Sequence, residues 1–448
     1  MEKVIINKFG GEIMGTPELN KLLLNHIKEQ KNSGNKIIVV CSALTKVTDT
    51  LINGVDEIVK SNSIKKIDIL CDNLFEIHIN HIKKILNNKK NILKLEEIIS
   101  GELKQLKDSL KFILDFGYVD FVTSKIISFG EKLSTHIIKF YLEENNIEAK
   151  RFTGEELGII TDNNYGDANI NYDLSKEKVK KNLENNKNIV NIIAGFTGID
   201  NFGRTTILGR GGTDTTACFI GSVLKADKVI LWKNVEGVLT SDPRIVENTN
   251  TIKILDYDEA EESGKVVCNK AITYLKNHNS PMEVAFIKNK NIFTKVCNKK
   301  DLSKKVKLLS YKKDCSLLKI KSERMTKSGF LYNISAIFEE LNINMSFIRN
   351  TRDTMYISID NNQKNLEKLF QNLEKICSLE KNNCSMINII GNLNWDLAME
   401  VNLQLKKISK NLQIGVFPHE NCSRLEAIVD NNELEKILNH FHQIFINT

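Results

Sequence analysis

Over residues 1–297 short apolar runs alternate with longer amphipathic segments. Val4-Ile5-Ile6, Lys36-Ile37-Ile38-Val39-Val40-Cys41, Asn188-Ile189-Val190-Asn191-Ile192-Ile193-Ala194 and Lys228-Val229-Ile230-Leu231-Trp232 each read as a buried strand. Between them, Ile64 to Phe116 carries Ile82, Ile85, Leu86, Leu103, Leu106 and Leu110 at helical spacing among lysines and asparagines. Ser124 to Tyr141 shows a stripe of Ile126, Leu133, Ile137 and Phe140. Strands alternating with helices predict an α/β sheet, in which ligands gather at the carboxyl ends of the strands.

Beyond Lys295 the pattern changes. Lys299 to Lys313 is a charged stretch with three lysine pairs and reads as a linker. Two segments of like shape follow, each strand, helix, strand. The first runs through Ser316–Ile320, a helix from Phe330 to Leu341, and Met355–Ile359; the second runs through Ser385–Ile390, a helix from about Leu397, and Leu425–Val429. Two copies of a small unit predict tandem modules.

The polar loops fall at the strand ends. The densest is Gly203 to Ala217, where four glycines, two arginines, five threonines and one carboxylate share fifteen positions. Gly209, Gly211 and Gly212 allow the backbone to approach a ligand, and Arg210 supplies a planar fork for a carboxylate or phosphate. Thr213 to Thr216 stand where a helix begins, with its amides and positive dipole end toward the turn, so the element reads as an anion site. Lys8-Phe9-Gly10-Gly11 ends the first strand, ahead of a helix start at Thr16-Pro17-Glu18, and suits a phosphate as well as a plain turn. Ser42 to Asp49 is rich in hydroxyls, which either hold a small polar ligand or cap the helix beginning near Thr50. Gly130 lies inside a helical stripe, at a cost of about 1 kcal/mol relative to alanine, which points to close approach by another element. Glu131 beside it is either an ammonium acceptor or solvated helix surface. Asp242-Pro243-Arg244 forms a stiff turn displaying one charge of each sign.

Composition narrows the class. Residues are 41% hydrophobic and 27% charged, and 63 basic against 56 acidic side chains leave a net charge of +7, too diffuse over 448 residues to suggest nucleic-acid binding. Nine cysteines without metal or disulfide spacing suggest reduced thiols in a cytosol, and Cys41 and Cys218 sit in apolar runs as core. The apolar runs are too short to span a membrane, and a strand signal at Val4 leaves no room for a transit peptide, so a cytoplasmic protein with no membrane partner is expected.

Lys8-Phe9-Gly10-Gly11, Gly130-Glu131-Lys132-Leu133-Ser134, Gly195-Phe196-Thr197-Gly198, Leu208-Gly209-Arg210-Gly211-Gly212-Thr213-Asp214 and Thr240-Ser241-Asp242-Pro243-Arg244 occur in that order. Together they resemble the aspartate kinases of the amino-acid kinase superfamily, over nearly the whole chain. Leu-Gly-Arg-Gly-Gly with the Asp-Pro-Arg turn is highly specific, whereas Lys-Phe-Gly-Gly alone is not. The resemblance implies an amino-acid-kinase-like open α/β sheet sandwiched by helices at 1–297, a linker at 298–313, and two C-terminal ACT modules, ferredoxin-like α+β units, at 314–380 and 381–448.

It further implies transfer of the ATP γ-phosphoryl group to the β-carboxylate of L-aspartate, the first step toward lysine, threonine and methionine. Lys8, Asp214 and Lys265 then carry the chemistry. Ser42, Thr48, Glu131, Arg210 and Thr213 hold aspartate. Lys8, Phe9, Gly10, Gly11, Lys233, Asn234, Leu239, Asp242, Arg244 and Lys265 hold the nucleotide, with Mg²⁺ on its phosphates rather than in a cage of protein carboxylates. An amino-acid effector at the ACT modules and a homodimer paired through them are also implied. The rival readings are a catalytically weakened regulatory relative that retains the ACT pair, and a kinase of another amino acid or of a nucleotide. The sequence departs from the family pattern at Lys233-Asn234, where Thr-Asp is usual, at Leu239 for tyrosine, at Ile207 for threonine, and at Glu12-Ile13 and Val267-Cys268-Asn269. Exchanging a carboxylate for an amide and adding a lysine at 233–234 predicts altered contacts to ribose and base, and poorer discrimination between ATP and GTP.

Overall fold

A computed structural model describes residues 2–184, 188–263, 267–409, 414–416 and 423–447; Lys265 lies outside the described residues. The chain divides into two units, Met1–Val238 with Thr251–Asp301, and Leu239–Asn250 with Leu302–Thr448.

In the first unit the apolar runs form strands buried on both faces, as parallel sheets require. They are β1 (Val4–Phe9), β2 (Lys36–Cys41), β3 (Ala149–Phe152) and β4 (Val190–Ala194), then a separate hairpin of β5 (Thr197–Ile199) and β6 (Thr205–Ile207), then β7 (Lys228–Lys233), β8 (Ile254–Leu255), β9 (Met282–Phe286) and β10 (Asn289–Val296). Their order in the sheet is β3-β4-β2-β1-β7-β9-β10-β8, parallel throughout except between β9 and β10. The chain builds outward from β1 in one direction through β2 and in the other through β7, so the strand order reverses between β1 and β7. A crevice opens at the carboxyl ends on either side of such a reversal.

The lysine- and asparagine-rich region folds as helices Ile64–Ile85 and Lys89–Phe116, which pack on the helix Asp120–Glu144. The apolar positions Ile82, Leu106, Leu110, Ile126, Leu133 and Ile137 are all fully buried in one core. Among the described residues no helix is long and apolar enough to cross a membrane.

The second unit holds the two predicted modules, and they share one antiparallel sheet. Its strands are β11 (Val306–Lys321), β12 (Phe347–Asn350), β13 (Thr354–Asp360), β14 (Ser378–Gly391) and β15 (Arg424–Val429), in the order β12-β13-β11-β14-β15. Helices Phe330–Glu340 and Leu366–Glu374 cover one core, and Trp395–Ile408 with Leu434–Phe445 cover another.

The linker expected at 298–313 is only partly irregular, because β11 already starts at Val306. Val306, Leu308 and Leu309 are buried and pair with β14, and the flanking lysine pairs conceal that apolar run in the sequence. The segment Leu239–Asn250 also joins this unit: the Leu309 amide donates to the Thr240 carbonyl at 2.9 Å, and Val246 packs in the core beneath Trp395–Ile408.

Candidate active site

At the carboxyl ends of β1, β2 and β7 lies an open cleft of about 850 Å³. Lys8, Gly11, Ser42, Thr48, Glu131, Arg210, Thr213, Asp214 and Lys233 line it, drawn from segments up to more than two hundred positions apart. Beyond these, Lys46 and Asp49 of the hydroxyl-rich loop and Phe196 beside the glycine turn also line the cleft, and none had been singled out by its chemistry. Lys46 has a left-handed backbone, φ 65°, which nothing in the spacing of apolar residues betrays.

The floor is a buried ion cluster. Lys8, next to last on β1, places its Nζ 2.6 Å from Oδ1 of Asp214, and Lys233, last on β7, places its Nζ 3.3 Å from Oδ2. Asp214 stands in the first turn of the helix Gly212–Leu224, whose N-cap Gly211 has φ 78°. A side chain at Gly211 is excluded twice, by that φ and by a Cβ position 2.6 Å from the Cβ of Cys268. Burial alone would push the Asp214 carboxyl up, but the two ammonium groups hold it below the usual carboxylate range. Burial lowers Lys8, only partly offset by Asp214, and Lys233 lowers it further. Lys8 is therefore charged at a cost that an arriving anion would reduce.

One wall is the hydroxyl-rich loop against the helix Asp120–Glu144. Gly130 allows that approach, since a Cβ there would sit 2.7 Å from the Cβ of Ala43. The expected neighbour of Gly130 is thus this loop. Ser134 donates to the Ser42 carbonyl at 2.7 Å, and the Ser42 hydroxyl donates to Thr213 Oγ1 at 3.1 Å, tying loop, helix and glycine turn together. The helix there begins at Val47, three residues earlier than the hydroxyl pattern predicts.

Glu131 is not solvated surface. It is 4% exposed, its Oε2 lacks a hydrogen-bond partner, and burial pushes its carboxyl up to about 8 against the opposing pull of the Ala43 amide and Lys8. A buried carboxyl facing a cleft with an unused oxygen suits a ligand cation. Arg210, by contrast, is exposed at the rim.

Of the first-unit residues expected at the nucleotide, Phe9, Gly10 and Asn234 are not among those lining the cleft. The Phe9 ring is fully buried and stacked parallel to Trp232, with centroids 6.3 Å apart, so it belongs to the core. Gly10 caps the short helix Gly11–Gly15, and Gly11 alone of that pair lines the cleft. Asn234 donates to Glu12 Oε1 at 2.7 Å, joining two positions at which the sequence departs from the family pattern. Leu239, Asp242 and Arg244 lie in the second unit. There the two charges of the Asp-Pro-Arg turn bond each other, at 3.0 and 2.7 Å, and Tyr311 of β11 donates to Asp242 at 2.9 Å. The Arg244 guanidinium and the Tyr311 hydroxyl hold the Asp242 carboxyl well below its ordinary range. Thiols Cys41 and Cys218 are buried and pushed up by that burial, in keeping with a core role.

Residues 3–285, more than half of the chain and including every cleft residue named above, match the model of the amino acid kinase family. The chain belongs to the amino acid kinase family. Within that family it is similar to the aspartokinase of Bacillus sp. (strain MGA3), 29% identical over 285 residues that cover 63% of this chain and 55% of the relative. The match thus spans about half the length of such curated relatives. In fold it resembles E. coli aspartokinase III in complex with aspartate and ADP, with a TM-score of 0.83 at 21% identity over 98% of this chain and 99% of the other. It also resembles that protein in complex with lysine and aspartate, with a TM-score of 0.80 at 22% identity over 99% of each chain.

Proposed function

We propose that this amino acid kinase is an aspartate kinase, transferring the γ-phosphoryl group of ATP to the β-carboxylate of L-aspartate to give 4-phospho-L-aspartate. One observation carries the reading. A single cleft presents a buried Lys8–Asp214 pair joined by a half-buried Lys233 for phosphate, a buried Glu131 for an ammonium and a rim Arg210 for a carboxylate. Polyphosphate and amino acid are matched together.

In this reading Arg210 grips the α-carboxylate and Glu131 accepts the ammonium, with Ser42, Thr48 and Thr213 as hydroxyl partners. The β-carboxylate is already an anion, so no base need remove a proton. Its oxygen forms a bond to the γ-phosphorus as the bond to the β-phosphate oxygen breaks, and ADP leaves. Catalysis then consists of positioning and charge neutralisation, supplied by Lys8, the amides near Gly11 and the start of the helix Gly212–Leu224. Both Asp214 oxygens face ammonium groups, which fits a magnesium that would be carried by the nucleotide phosphates and would lower their charge. We assign Lys265 the second phosphate-side lysine on the family pattern alone. The test is ADP release measured over a panel of aspartate, glutamate, N-acetylglutamate and nucleoside monophosphates. Preference for aspartate supports the proposal, and preference for any other acceptor refutes it.

The second unit bears on regulation. Gly329, φ 83°, caps the helix Phe330–Glu340, and Ser328-Gly329-Phe330-Leu331 across that helix start resembles the effector segment of lysine-sensing aspartate kinases. The stretch Asn344–Arg352 offers two arginines and no carboxylate, and the nearby Asp353 already accepts a hydrogen bond from Thr354 at 3.2 Å. Setting a lysine ammonium beside Arg352 costs repulsion and desolvation. We therefore expect millimolar lysine to inhibit weakly or not at all in initial-rate assays, and strong cooperative inhibition by lysine alone would refute this. The edge strand β12 carries an exposed Ile348, which fits edge-to-edge pairing of two chains. Light scattering should give a dimer mass; a monomer would contradict the pairing.

A further inference from the structure

We propose that Lys233 joins Lys8 as a cation for the nucleotide's polyphosphate, held in register with it by their shared partner Asp214. The proposal rests on the reading of the cleft as a nucleotide site.

Three observations carry it. First, strand pairing sets the position. β1 and β7 are adjacent across the reversal of strand order, Lys8 pairs with Leu231, and Lys233 follows two residues on at the carboxyl end. Both lysines therefore emerge into the same crevice. Second, the charges do not balance. One carboxylate meets two ammonium groups, Oδ1 with Lys8 and Oδ2 with Lys233. A single lysine would neutralise Asp214; the second, though drawn to Asp214 itself, repels Lys8 and leaves the cluster one positive charge in excess, an excess that an incoming polyanion converts into attraction. Third, the two lysines differ in freedom. The Lys8 side chain is 7% exposed at 2.6 Å, whereas that of Lys233 is 26% exposed at 3.3 Å. Lys8 is the fixed floor, and Lys233, looser and nearer solvent, is able to swing from Asp214 to a phosphate oxygen.

This differs from the expectation that Lys233 and Asn234 alter contacts to ribose and base. The Lys233 ammonium is directed to Asp214, and Asn234 is engaged by Glu12. Where the resembling family usually carries an uncharged threonine, this chain adds a point charge on a flexible stem, suited to a phosphate whose charge is redistributed during transfer.

The test is calorimetric titration of the intact chain and its Lys233→Thr variant with ATP and with AMP, both with magnesium. Losing one charge-assisted contact should weaken ATP binding about tenfold and leave AMP unchanged. Lys233→Arg should restore ATP binding to within about threefold of the original, since a cation is what is required. Lys233→Met, which keeps the aliphatic stem, repeats the measurement if the threonine variant folds poorly. Unchanged ATP affinity in both neutral variants would overturn the proposal. So would equal losses for ATP and AMP, or an altered ATP to GTP ratio at constant ATP affinity. If the original chain binds ATP but turns over no aspartate, the aspartate reading fails while the Lys233 comparison still decides this one. If it binds no ATP, both fail.

Discussion

Asp214→Ala should lower kcat about a hundredfold or more, and as severely as Lys8→Ala. Asp214 touches no reacting atom; it acts by fixing the Lys8 ammonium at 2.6 Å and by pairing the looser Lys233 at 3.3 Å. Without it Lys8 remains buried with no counter-charge, its pKa falls further below the ordinary lysine value, and it loses the charge that the transferring oxygens need. Because the residues act as a unit, the Lys8→Ala/Asp214→Ala double variant should be scarcely slower than either single one. Arg210→Ala should instead act mainly on the KM for aspartate, since an exposed rim guanidinium contributes binding rather than a preorganised charge. Steady-state kinetics on the four proteins decides the matter. Near-normal turnover in Lys8→Ala and Asp214→Ala would remove the cluster from the mechanism.

The second large effect concerns Glu131. Its carboxyl titrates near 8 in the folded protein, raised by burial from an ordinary 4.5. Pairing with an ammonium requires the ionised form, so below pH 8 substrate binding must expel a proton. The KM for aspartate should therefore fall by up to about tenfold per pH unit between pH 6 and 8, then level off. Glu131→Gln should raise KM and abolish that slope.

Stability should move the other way. A folded-state pKa above the unfolded one means that the native state binds the proton more tightly between pH 4.5 and 8. The contribution is fully present below the lower value and is lost as pH rises through the upper one. Glu131→Gln lacks this loss, so its melting temperature relative to the original chain should climb from pH 5 to pH 8. A pH-independent KM, or a melting difference that shrinks over that interval, would show that Glu131 is not the ammonium acceptor.

Much of the first unit was legible because parallel strands buried on both faces are written as continuous apolar runs. The site was legible in large part because polar residues at the ends of those runs have few structural reasons to be there. Lys8, Ser42, Thr48, Glu131, Arg210, Thr213 and Asp214 converge on one cleft. What the sequence withheld depends on long-range register. The partner of Lys233 follows from β7 lying beside β1, and the Asp242 turn joins the second unit through the Thr240–Leu309 hydrogen bond and Tyr311. Phe9 sits next to Lys8, which lines the cleft, yet alternation along the strand turns its ring onto Trp232. Glu131 reads from its sequence either as an ammonium acceptor or as solvated helix surface. Only the packing of Ala43 against Gly130 shows why it is buried. The start of β11 was hidden by lysines on both sides of Val306–Leu309.

The most direct measurement traps the product. Incubating the intact chain with L-aspartate, ATP, magnesium and hydroxylamine should yield aspartyl β-hydroxamate and ADP in equal amounts, with none formed when aspartate is omitted or replaced by glutamate or N-acetylglutamate. Hydroxamate from another acceptor, or ADP release without any hydroxamate, would contradict the assignment of this cleft to aspartate phosphorylation.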